Sequence, residues 1–162
     1  MGIEKKHKML FLIGIEQNQE TIMNRFKSEN IIILQCYQPV ISQPFDDLMR
    51  DILIAVYQEN VEQIVVVASN EDEKIKRDIL NKMIENKELQ KKIQTLDYLF
   101  KNTMAEFPSG NIEKWFADGK PLKERVQITV NLIKRHPLMP NNVKVKELWI
   151  EDKETQLEIE VS

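Results

Sequence analysis

The chain is predicted to fold as an α/β domain with a mostly parallel central sheet flanked by helices and an antiparallel strand at its C-terminal end. Three observations predict it. Short apolar runs, most of them rich in β-branched residues, recur at 9–15, 31–36 and 64–68, as in strands buried on both faces. Between them, apolar residues fall at three- and four-residue spacing, the helical period. Two further strand-like segments, 143–150 and 156–161, then close the chain, so strands and helices alternate for most of its length.

The elements follow in order. Residues 9–15 form the first buried strand. Asn18 is suited to cap a helix over 19–28, which carries Ile22, Met23 and Phe26 on one face. Residues 31–36 form the second strand. Pro39 and Pro44 bracket a loop, and Pro44 suits the first turn of a helix that runs through Phe45, Leu48, Met49, Ile52 and Val56 to Glu59. Asn60 stops it. Residues 64–68 form the third strand. Asn70 with Glu73 three residues on resembles a capping box for a helix through Ile75, Ile79, Met83 and Ile84. Residues 88–101 are charged and helical, with Leu89, Ile93, Leu96 and Phe100 on one face. Residues 107–111 are the clearest loop, and a short turn or helix around Trp115 leads to Pro121. A long helix over 120–135 must end by His136, because Pro137 disfavours helix in the residue before it. Asp152, Lys153 and Glu154 suggest a hairpin between the last two strands.

At 162 residues this reads as a single domain over 1–162 with enough chain for a real core. Its net charge of -3 gives no global reason to expect nucleic acid. The Lys-rich stretch from 82 to 92 is interleaved with acids and reads as a solvated helix face. No apolar run is long enough for membrane insertion. The Lys residues before Met9 resemble a signal peptide only weakly, since no small-residue cleavage site follows. One Cys, Cys36, excludes an internal disulfide and fits a reducing compartment. The expected location is the cytoplasm. There is no Gly-x-Gly-x-x-Gly, Walker A or Gly-x-Ser-x-Gly motif, and no Cys-x-x-Cys pair.

A resemblance adds to this reading. The helix that ends in His136-Pro137-Leu138-Met139-Pro140, followed by two strands, resembles the end of a β-class carbonic anhydrase. Residues 44–52 leading into 61–67 look like that family's helix before the strand that carries its His ligand. Residues 9–15 look like its first strand, which normally ends in Cys-x-Asp-x-Arg. The resemblance covers roughly the whole chain and implies that fold, with the site at a homodimer interface. Leu99, Trp115 and Phe116 are the expected candidates for the dimer contact.

The same resemblance implies one catalytic zinc held by two Cys and one His, and its positions can be checked residue by residue. The first Cys falls on Gly14, the dyad acid on Glu16 and the dyad Arg on Asn18. The His-x-x-Cys pair falls on Ser69 and Asp72. The family's Arg-Asn segment falls near residues 35–38, of which Gln35 and Cys36 are expected to line any pocket. All three zinc ligands are absent in this register. Two carboxylates, Glu16 and Asp72, without metal or Arg would repel bicarbonate by ~1 kcal/mol or more each. The implied protein is a zinc-free pseudoenzyme with a binding, regulatory or assembly role, as a homodimer or with another protein partner. Four structural roles stay open beside it. Asn18 and Asp72 suit helix capping and a first helical turn. Cys36 suits a half-buried apolar position, and His136 suits the end of its helix. The alternative is a carbonic anhydrase with an atypical zinc site that uses Cys36 and a His from elsewhere. A further alternative is a site for a cation or amine near Gly14, Glu16 and Ser69.

Overall fold

A computed structural model describes residues 8–15, 17–26, 30–102, 111–117, 120–150 and 158–159. Its sheet has five strands: β1 (Lys8–Gly14), β2 (Asn30–Cys36), β3 (Gln63–Ser69), β4 (Lys144–Ile150) and β5 (Glu158–Ile159). Their order is β2-β1-β3-β4-β5. The first four are parallel, and β5 runs antiparallel to β4. The expected hairpin at 152–154 lies outside the described residues.

The chain forms two compact units. The first comprises residues 1–72 and 122–162. It holds the sheet, α1 (Gln19–Arg25), α2 (Asp47–Glu59) and α6 (Leu122–Lys134). The continuous apolar runs are explained by its two cores. Side chains alternate across a strand, so Leu10, Leu12, Ile64 and Val66 meet Met49, Ile52 and Val56 of α2 and Val126 and Ile133 of α6. Met9, Phe11, Ile13, Val65 and Val67 face the other way and pack with Ile22 of α1. A central strand that serves both layers has no polar face to show.

Caps fix where the helices begin and end. Asn18 Oδ1 accepts the Glu20 N–H at 2.8 Å and starts α1, as its sequence position suggests. Asp46 Oδ1 accepts the Met49 N–H at 2.8 Å, so α2 begins after Pro44, not on it. Asn60, with φ of 56°, ends α2 in the left-handed region, which Asn tolerates better than most residues. α3 (Asn70–Glu85) already includes Asn70. Its start is held by Ser69, whose Oγ accepts the Glu71 N–H at 3.1 Å, in place of the expected Asn70 capping box.

The second unit covers residues 73–121, with most of α3, then α4 (Gln90–Lys101) and α5 (Ile112–Ala117). Asp97 Oδ1 of α4 accepts the Ile112 N–H at 2.9 Å, and Asn111 Oδ1 accepts the Lys114 N–H at 2.8 Å to cap α5. Phe100 and Ile112 are buried.

Candidate functional site

Parallel strands bring their C-terminal ends to one edge of the sheet, and α/β folds place sites where the strand order reverses along that edge. Here the reversal lies between β1 and β3, because the chain leaves β1 for β2 on one side and returns to β3 on the other. The ladders reflect it. β1 pairs with β2 as far as Gly14 and Cys36, and β3 pairs with β4 as far as Ser69 and Ile150. The β1–β3 ladder stops earlier, at the Leu12 and Val66 pair. Gly14 and Ser69 therefore end the two strands that flank the opening.

Most of the sequence-derived site residues gather at this edge. Gly14 is buried and presents no side chain. Cys36 is its in-register neighbour on β2, half-buried, with Sγ 3.7 Å from the Ile13 carbonyl. Ser69 is 2% exposed, and its hydroxyl is engaged at the start of α3. Asp72 stands in the first turn of that helix. Asn18 is committed to capping α1. Glu16 lies outside the described residues.

Gln35 does more than line this edge. Its Nε2 lies 3.3 Å from the Gly14 carbonyl, 3.1 Å from that of Ile15 and 3.4 Å from that of Gln17. Its Oε1 accepts from Gln19 Nε2 at 2.8 Å. One side chain thus ties the β1–α1 loop to β2 and to α1. The loop is also turned on itself, since the Gln17 N–H donates to the Gly14 carbonyl at 3.1 Å. Spacing alone does not signal this clamp, because Gln35 and the loop are 16 to 21 residues apart.

His136 is occupied elsewhere. It is 4% exposed. Nδ1 accepts the Leu138 N–H at 3.1 Å, so Nε2 carries the proton and donates to the Pro44 carbonyl at 2.8 Å. Phe45 packs edge-on against the ring, with centroids 5.1 Å apart. Neither nitrogen is left with a lone pair for a metal.

The zinc implied by the resemblance can be tested against these donors. Gly14 offers none, Ser69 is a poor ligand already engaged by a backbone N–H, and His136 is spent. Among the described residues, no group of three His, Cys, Asp or Glu side chains is placed to hold a metal ion. The described donor set does not fit zinc, which needs at least three protein ligands in a catalytic site. Among the described residues, no helix is long and apolar enough to cross a membrane.

Comparison with known proteins agrees with the fold. The chain matches no protein-family profile. It resembles β-carbonic anhydrase isoform I of Trichomonas vaginalis with a TM-score of 0.57 at 14% identity, over 94% of this chain and 81% of that one. A tetrameric β-carbonic anhydrase of Sordaria macrospora matches with a TM-score of 0.54 at 13% identity, over 90% of this chain and 76% of that one. The carbonic anhydrase-like protein YbcF of Bacillus subtilis is 35% identical over 156 residues, which cover 94% of this chain and 86% of YbcF. On that sequence relationship and this shared fold, the chain belongs to the β-class carbonic anhydrase family.

Proposed function

We propose that this family member binds no catalytic zinc, does not hydrate CO2, and acts in the cytoplasm as a binding, regulatory or assembly protein in the form of a homodimer. One observation carries the reading. Of the two strand ends that flank the opening, Gly14 supplies no side-chain ligand and Ser69 supplies only a hydroxyl, a poor zinc ligand that already accepts the Glu71 N–H. Zinc makes hydroxide available at neutral pH by lowering the pKa of its bound water to about 7. Without ligands to hold it, that source of nucleophile is lost. The committed cap at Asn18 and the Gln35 clamp on the β1–α1 loop add to the case. Both tie down polar groups at the same edge. The tetrameric relative supports self-association. Stopped-flow CO2 hydration with added zinc is the test. A rate equal to buffer alone is expected, and a zinc-dependent catalysed rate would sink the reading.

A second reading has one observation in its favour. Cys36 stands beside Gly14 in register, so a thiol sits one strand away from the position that lost its ligand. In a carbonic anhydrase with an atypical site, Cys36→Ser would abolish zinc binding. In the zinc-free reading it changes nothing.

A further inference from the structure

We propose that this protein binds a small oxyanion, a carboxylate or a phosphate, at the C-terminal edge of its sheet on the side covered by α6, with the Arg125 guanidinium as the group that holds it. The inference deepens the binding role proposed above by naming a ligand class, and it rests on that reading only for the absence of metal. It starts from a charge in an unusual place. Arg125 lies in the first turn of α6 and is 4% exposed. Of the described side chains, no other Lys, Arg, Asp or Glu is buried. A buried cation needs a negative partner, and Arg cannot shed its proton to escape that need.

The neighbours of Arg125 on α6 place it along the sheet. α6 runs against the strands, since it hands the chain through a short turn to the start of β4. Gln127 Nε2 donates to Glu147 Oε2 at 2.9 Å, which sets that turn of the helix level with the middle of β4. Helical side chains lean toward the N-terminus of their helix, so Arg125 leans toward the strand ends. Val126 packs in the core layer of Leu12 and Val66. Thr129, one turn further on the same stripe, accepts the Ile41 N–H of the loop that leaves β2. Arg125 thus stands over the strand ends, on the side of the helix that meets this loop.

Alternation along the strands gives the residues that face it. Leu12, Leu34 and Val66 belong to the α6 layer, so Gly14, Cys36 and Ala68 end their strands on the same face, with Trp149 beside them on β4. None of the four carries a charge. The two strands that flank the opening end on this face in Gly14 and Ala68, the smallest side chains available. The sheet therefore leaves space there and supplies no anion of its own. A guanidinium presents a planar fork that matches two oxygens of a carboxylate or a phosphate, and its attraction for them grows away from water. Sequence alone points the other way, because it sets only the acids Glu16 and Asp72 at this edge. The cation comes from a distant part of the chain.

The experiment is calorimetric titration of full-length, zinc-free protein at low ionic strength. Sodium phosphate is used in one arm, sodium acetate in the other, and sodium chloride as the salt control. The expected result is saturable binding in at least one arm, tighter than chloride and weakened at least about tenfold by Arg125→Gln. The arm that binds tells a tetrahedral ligand from a planar one. Binding in neither arm, or equal binding by a folded Arg125→Gln protein, would overturn the proposal. If circular dichroism shows that Arg125→Gln does not fold, wild-type crystals soaked in the anion that binds decide the matter. Density within hydrogen-bond distance of the Arg125 guanidinium supports the site, and an anion found only elsewhere overturns it. The zinc-free reading fails separately, on zinc found in the protein as purified, and the titration of metal-stripped protein tests Arg125 in either case.

Discussion

His136 is the residue that gives the C-terminal motif its physical meaning. Its ring accepts from Leu138 and donates to Pro44, which ties the turn after α6 to the loop before α2 across 92 residues of sequence. Burial makes each bond count, because a buried partner left alone costs about 1–3 kcal/mol. His136→Ala is expected to lower stability by about 2–4 kcal/mol in urea unfolding, since both partners lose their bond. A loss near zero would mean that water replaces the ring. Ser69 makes a smaller contribution as a cap, and Ser69→Ala should cost about 1 kcal/mol in the same measurement. If Ser69 were a metal ligand instead, the substitution would lower zinc content as well.

The loop between β2 and α2 is held by a second buried bond. Thr129 of α6 accepts the Ile41 N–H at 3.0 Å through a hydroxyl that also lies 2.9 Å from the Arg125 carbonyl. Both Thr129 and Ile41 are fully buried. Thr129→Val keeps the shape and removes the acceptor, so a loss of about 1–3 kcal/mol is expected. Amide exchange at Ile41 should rise with it, and unchanged exchange would contradict the assignment. Strands and helices of this unit were legible in the sequence because burial on two faces leaves continuous apolar runs and burial on one leaves a helical stripe. Strand order was not legible, since it depends on which distant segments pair. The position of Cys36 beside Gly14 and the reach of Gln35 into the β1–α1 loop follow from that pairing alone. The choice of Ser69 over Asn70 as cap was hidden for a local reason. Both residue types cap well, and the end of β3 decides between them.

At the scale of the whole molecule, the proposed reading separates the family's architecture from its usual chemistry. The first unit keeps the parallel sheet, its reversal of strand order and the two core layers. These depend on apolar pattern and caps, not on the residues at the strand ends. At this edge Gln35 stitches the β1–α1 loop to its neighbours. Gln35→Ala should leave global stability within about 1 kcal/mol, because the clamp is exposed. It should also speed proteolysis within 14–18, and an unchanged cleavage pattern would argue that the loop is held by other means. The family relationship supplies the fold, and the side chains at the strand ends determine whether the metal follows. The zinc content of tag-free, full-length protein, measured by elemental mass spectrometry, tests this most directly. The account predicts near-zero zinc per chain, and about one tightly held zinc per chain would contradict it.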